Sequence, residues 1–193
     1  MSLPDAERDD DATPDRATVR APSFARWLLE LAATFAVAGI IAWVLLTYVV
    51  MQYEIPSASM EDTLQIGDRV LVNKLAYRFG RPAPGDIVVF LSPDGDHTDW
   101  VKRVVAVAGQ TVDIRDDVVY VDDEPLKEPY VNRRYLRHFD ADGAIRVPKG
   151  TVFLMGDNRG SSRDSSLVGP QPVTHIIGRA EAIVWPLDRA RGL

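Results

Sequence analysis

Residues 99–121 read DWVKRVVAVAGQTVDIRDDVVYV, and the fold turns on them. The two runs 99–109 and 111–121 are short, rich in Val and Ile, and bounded by Gly and Asp, which predicts strands. The Arg115–Asp117 segment falls between TVDI and VVYV, where a tight hairpin turn is expected. Runs of the same kind lie at 68–77 (DRVLVNKLAY), 86–93 (DIVVFLSP), 151–157 (TVFLMGD) and 178–187 (GRAEAIVWPL). Helical periodicity over a dozen residues occurs nowhere beyond residue 51. Residues 130–143 (YVNRRYLRHFDADG) are polar, aromatic and without pattern, and read as an exposed excursion. The expectation is a mainly β domain.

Upstream, the composition changes sharply. Residues 31–50, LAATFAVAGIIAWVLLTYVV, contain neither a charge nor a proline. As a helix rising ~1.5 Å per residue they cover about 30 Å, the hydrocarbon thickness of a bilayer. Trp27 and Tyr48 suit the two interfaces. A cleaved signal peptide would have a shorter apolar core, roughly 7–15 residues, and a small-residue cleavage site. A buried core helix, the other reading, would not be apolar on every face unless fully enclosed. Residues 1–26 carry three prolines, six acids and four arginines, and read as a disordered tail. Arg16, Arg20 and Arg26 precede the span, whereas Glu54, Glu61, Asp62 and Asp68 follow it. Because positive flanks stay inside, the tail is expected to be cytoplasmic and the β domain extracytoplasmic. The expected division is a tail at 1–26, one transmembrane helix at 27–51 and a domain at 52–193.

Composition narrows the chemistry. A net charge of −6 speaks against a nucleic-acid partner. The absence of cysteine excludes a thiol nucleophile, a disulfide framework and any cysteine-based metal site. His97, His138 and His175 stand in no metal-ligand spacing, so no metal or cofactor is expected.

Just beyond the span lies the most unusual segment, residues 55–64, IPSASMEDTL. Serine-rich segments are commonly turns or linkers, and this one taken alone reads equally as either. A serine nucleophile needs a base, and no histidine here has the neighbours of a triad. A lysine serves if burial lowers its pKa. Of the four lysines, Lys127 and Lys149 sit in polar turns and Lys74 near a strand end. Lys102 differs, because period-2 alternation puts it on an apolar face with Trp100, Val104 and Ala106. Lost hydration there disfavours its charged form. Lowering it from ~10.4 to near 7 amounts to about 4–5 kcal/mol between the two protonation states. A snorkelling or ion-paired strand lysine gives the same pattern. A third polar segment, residues 155–166 (MGDNRGSSRDSS), follows the strand-like TVFL and is either a solvated loop or a site loop.

In this order, beyond an apolar span, the segments resemble the type I signal peptidases. IPSASM resembles that family's nucleophile box, residues 67–74 (GDRVLVNK) its structural strand, Lys102-Arg103 its general-base box and residues 156–165 (GDNRGSSRDS) its last box. The resemblance implies a mainly β signal peptidase-like catalytic domain working through a Ser–Lys dyad, with Ser59 as nucleophile and Lys102 as general base. It further implies an oxyanion site from the Ser59 backbone N–H and the Ser57 hydroxyl, Ser162 orienting Lys102, and Asp164 bracing the site. Ile55, Pro56, Met60, Leu64, Trp100 and Val101 match positions that line shallow apolar substrate pockets, implying cleavage at Ala-x-Ala sites of exported preproteins. The implied partners are preprotein signal peptides and the plasma membrane bilayer, with the enzyme acting as a monomer. Two positions depart from the family pattern: Asp62 replaces a usual proline, and Ser166 stands where an arginine is usual. For the second, Arg103, Arg159 or Arg163 is the expected replacement as partner of Asp164 or Asp157. The alternatives are a self-cleaving Ser–Lys protease and a tethered β domain that binds peptides without cutting them.

Overall fold

The computed structural model describes residues 24–95, 98–132 and 143–193. Most of the expected tail and excursion, with His97 and His138, lies outside the described residues. The chain divides into two units between Ile41 and Ala42.

Helix α1 (Phe24–Val44) is apolar on every side and buries none of its residues. A wider π turn carries it on through Val49. Together they make 26 residues, with a mean hydropathy of 2.2 over their most apolar 18, long and apolar enough to cross a membrane. Helical structure ends two residues short of the expected limit at 51. Val50 and Met51 instead pair with Asn73 and Val72 as the start of strand β1 (Val50–Glu54). Met51 and Tyr53 pack on the core while Gln52 and Glu54 face out, so period-2 burial overrides the continuation of the apolar run.

The second unit is built on antiparallel strands. They are β2 (Arg69–Asn73), β3 (Ile87–Leu91), β4 (Asp99–Val107), β5 (Thr111–Arg115), β6 (Val118–Val121), β7 (Glu124–Pro125), β8 (Ile145–Arg146), β9 (Thr151–Met155), β10 (Gln171–Pro172), β11 (Ile176–Trp185) and β12 (Arg191–Gly192). The larger sheet runs β1-β2-β11-β3-β4-β9-β10, with β12 beside β11, and the smaller runs β7-β6-β5-β8. Two short helices, α2 (Ala76–Phe79) and α3 (Ser165–Val168), complete it. The strand expected at 68–77 stops at Asn73, whose Oδ1 accepts from Leu75 N–H and turns the chain into α2. The β5–β6 hairpin closes at Arg115 opposite Val118. Its turn residues Asp116 and Asp117 have φ of 49° and 62°, the left-handed pair that a two-residue hairpin requires and aspartate tolerates.

Three apolar clusters hold the domain. One joins Ile55, Met60 and Leu64, from the loop after β1, to Val70, Val72, Ile87, Val89 and Val101. Another gathers Val88, Phe90, Val104, Val152 and Leu154, with Trp100 against it. Each fully buried side chain of this size contributes about 1.5–3 kcal/mol. The expected face of Trp100, Lys102, Val104 and Ala106 is broken at its last member. A bulge between Val104 and Ala106 resets the alternation, and Val105 and Ala106 both enter the third cluster with Val112, Ile114 and Phe153.

Candidate active site

Strand β4 delivers Lys102 to the site. Its register opposite Val88 of β3 lays the side chain over the cluster of Val88, Phe90 and Val104, and the residue is only 4% exposed. The loop after β1 delivers Ser59 within a single 3₁₀ turn, Ala58–Met60. That turn is clamped from both ends. Met60 and Leu64 sink into the core below it, while Asn158 holds it from above. The Asn158 N–H donates to Ser59 O at 3.0 Å and its Nδ2 to Ala58 O at 3.1 Å.

The result is a buried hydroxyl–amine pair: Lys102 Nζ donates to Ser59 Oγ at 2.7 Å. Burial lowers the Lys102 pKa from 10.5 to about 8, against the opposing pull of the Asp164 and Asp157 charges. The fall is smaller than the sequence expectation of a value near 7, and those two carboxylates are the reason. Trp100 stands 5.6 Å from the amine, its ring facing the same space. A neutral amine at this separation can accept the serine proton, and a serine so activated is a nucleophile. The exposed Ser57 hydroxyl donates to Ser59 Oγ at 3.4 Å, a long contact that leaves it free to turn toward a bound group.

Beside the pair lies a polar network. Asp164 accepts from Ser162 Oγ at 2.6 Å, Gly156 N–H at 2.9 Å, Ser166 Oγ at 2.7 Å and Ser166 N–H at 3.2 Å. It also caps helix α3. Ser162 therefore spends its proton on Asp164, and no hydrogen bond joins it to Lys102. The arginine expected to answer the change at Ser166 does not go to Asp164; hydroxyls and backbone N–H groups satisfy that carboxylate instead. Arg103 pairs with Asp157 through two contacts of 2.9 and 2.7 Å, and Thr63 donates to the same carboxylate at 2.5 Å. Arg159 is taken by Glu128, and Arg163 reaches Asp94 at 2.8 Å.

A cleft of about 320 Å³ opens over the pair, lined by Ile55, Pro56, Ser57, Ser59, Met60, Thr98, Asp99, Trp100, Val101, Lys102, Ser161 and Arg163. Five of the six residues matched to substrate pockets are among them. Leu64 is not: it is 0% exposed and belongs to the core beneath the serine turn. Several residues escaped the sequence reading. Asn158 lay in view within MGDN, but nothing in a polar loop distinguishes the residue that reaches back across 100 positions. Gly156 is close-packed as well, since a Cβ there would meet Ser162 Oγ and lie 2.5 Å from Ser59 O. Thr98, Ser161 and Arg163 reach the cleft through the segments outside the strands, and Asp99 through the first position of β4.

Comparison with known proteins identifies relatives of the chain. The family model described as signal peptidase, peptidase S26 matches residues 28–185. Signal peptidase I of Mycobacterium tuberculosis (strain ATCC 25618 / H37Rv) is 36% identical over 246 residues, covering 97% of this chain and 83% of that protein. Signal peptidase IB of Staphylococcus aureus (strain N315) is 35% identical over 177 residues, covering 83% of this chain and 91% of that protein. The crystal structure of a signal peptidase I from Enterococcus faecalis V583 is 29% identical, with a TM-score of 0.46, over 52% of this chain and 97% of that one. The chain is a peptidase and belongs to the signal peptidase family, peptidase S26.

Proposed function

We propose that this chain is a membrane-anchored endopeptidase that removes signal peptides from exported preproteins, with Ser59 as nucleophile and Lys102 as general base. The observation that carries the reading is the 2.7 Å contact between Lys102 Nζ and Ser59 Oγ, both groups buried at the floor of an open cleft. Neutral Lys102 takes the Ser59 proton as Oγ attacks the scissile carbonyl carbon. The resulting oxyanion is held by the Ser59 N–H and the Ser57 hydroxyl. The Lys102 ammonium then protonates the departing amine as the C–N bond breaks, leaving an acyl-enzyme. Neutral Lys102 then takes a proton from the water that attacks the ester and returns it to Ser59 Oγ as the C–O bond breaks, releasing the signal peptide.

Ile55, Pro56, Met60, Trp100 and Val101 give the cleft shallow apolar walls, which suit the small side chains of Ala-x-Ala sites. Asp164 and Ser162 form the polar wall behind the amine. Helix α1 anchors the enzyme in the plasma membrane with its tail in the cytoplasm, and the domain acts outside on substrates held in the same bilayer. Only four residues separate Val50 from Ile55, so the serine works close to the lipid. The test is cleavage of a preprotein bearing an Ala-x-Ala site by the purified chain in detergent. Cleavage that is abolished by both Ser59→Ala and Lys102→Ala supports the reading, and normal cleavage by either variant refutes it.

A further inference from the structure

Strand β4 divides the cleft over the dyad into two halves. Alternation sends Val101 into the cluster of Ile55 and Met60, and it puts Asp99 on that same face. Trp100 and Lys102 lie on the opposite face, where Arg163 comes up against the Trp100 ring. The apolar half suits the small side chains before the scissile bond. The other half holds the amine that protonates the departing nitrogen. The segment after the bond therefore leaves across Trp100 and Arg163.

Arg163 stands in the chain between Ser162 and Asp164, yet its side chain takes no part in their network. Its guanidinium lies 6.0 Å from the centroid of the Trp100 ring, and Lys102 Nζ lies 5.6 Å from the same centroid. Among the described residues it makes one hydrogen bond, from Nη1 to Asp94 Oδ2 at 2.8 Å. Asp94 belongs to the turn after β3, which Ser92 N–H closes on Thr98 O at 2.9 Å. The Arg163 side chain is 58% exposed, and an ion pair so open to water is weak and readily exchanged. The remaining guanidinium N–H groups are available to a second carboxylate.

We propose that Arg163 is a specificity-determining residue, which binds an acidic side chain among the first three residues after the scissile bond. The proposal rests on the peptidase reading above. At ~3.3 Å per residue, three extended residues cover about 10 Å, the scale of this half of the cleft. The other charges favour an acid there and not before the bond. Asp99 is the one carboxylate among the cleft's lining residues, and it lies on the acyl half. Asp157 and Asp164 do not line the cleft and are held by Arg103 and by hydroxyls. The cleft thus runs from negative on the acyl half to positive on the leaving half, and such a gradient selects the charge of what lies along it. Asp94 holds the guanidinium in place until a substrate carboxylate takes it over.

The test uses the full chain in nonionic detergent and internally quenched peptides with one Ala-x-Ala site. Glu, Gln or Lys is placed in turn at the x position and at each of the first three positions after the bond. At low salt, kcat/KM is expected to favour Glu over Gln by about fivefold at one or more of the three later positions. The preference should fade at about 0.5 M salt, where charges so exposed are screened. Arg163→Gln should bring the Glu-to-Gln ratio to about one, Arg163→Glu should turn the preference to Lys, and Arg163→Lys should keep part of it. Asp94→Asn removes the competing carboxylate without touching Arg163, and it should raise the ratio. Equal cleavage of Glu and Gln peptides by the wild-type chain overturns this proposal alone. So does a preference that persists in Arg163→Gln, one that appears at the x position, or one that Asp94→Asn fails to raise. A wild-type chain that cleaves none of the peptides overturns the peptidase reading, and this proposal with it.

Discussion

Lys102 Nζ and Ser59 Oγ are 2.7 Å apart although 43 residues separate them in the chain. One comes from the middle of a central strand and the other from a single turn fixed to the core by Met60 and to the last-box loop by Asn158. The amine is buried without an ion-pair partner. Its charge is therefore a cost to the fold and its neutral form is the useful one.

That cost is measurable. A lysine whose folded pKa is lowered from 10.5 to about 8 penalises the native state fully below pH 8, and the penalty fades as pH rises to 10.5. Lys102→Met is expected to stabilise the domain at pH 7 by on the order of 3 kcal/mol while abolishing cleavage. Denaturant midpoints at pH 7 and pH 10.5 check this: the gain should be present at the first and largely gone at the second.

Gly156 tests how closely the two loops must approach. A Cβ there would meet Ser162 Oγ and lie 2.5 Å from Ser59 O, so Gly156→Ala must push the serine turn away. Overpacking of this kind costs about 1–3 kcal/mol, which a folded domain survives. Cleavage is expected to fall at least about 100-fold, since displacements near 1 Å have that effect on an aligned pair. Activity with a midpoint measurement of stability separates the two outcomes.

Leu64 separates packing from substrate binding. It is 0% exposed beneath the serine turn. Leu64→Ala is expected to destabilise by about 2–5 kcal/mol through the cavity it leaves. If Leu64 bound substrate directly, KM for preproteins with different residues before the cleavage site would change unequally; the buried position predicts the same KM ratios as wild type.

The Arg103–Asp157 pair is a structural brace beside the dyad, with its carboxylate 1% exposed. Asp157→Ala leaves a largely buried guanidinium without its counter-charge, and a loss of about 3–5 kcal/mol is expected from thermal or denaturant unfolding.

The legibility of these features in sequence follows their range. The hairpin at 111–121 and the apolar face around Lys102 depend on neighbours two to six residues away, and period-2 alternation displays them. The bulge at Val105 is also local, but a run of valines hides it because every register looks equally apolar. Strand β1 was obscured because residues 45–51 continue the hydrophobicity of the span, and only pairing with β2 separates strand from helix. The four segments were recognisable by their resemblance to a family. The partners within them were not, since Ser162 chose Asp164, Arg103 chose Asp157, and Asn158 crossed to Ala58. Such choices depend on distances that folding creates.

The central claim is that the neutral amine of Lys102 draws the proton from Ser59, and the pH dependence of preprotein cleavage tests it most directly. With wild-type enzyme in detergent and saturation avoided, kcat/KM should rise with pH along a single titration with a midpoint near 8, the value burial gives Lys102. Lys102→Ala should remove the activity across the whole range. A flat profile, an acid optimum, or a rise that persists in Lys102→Ala would contradict the account.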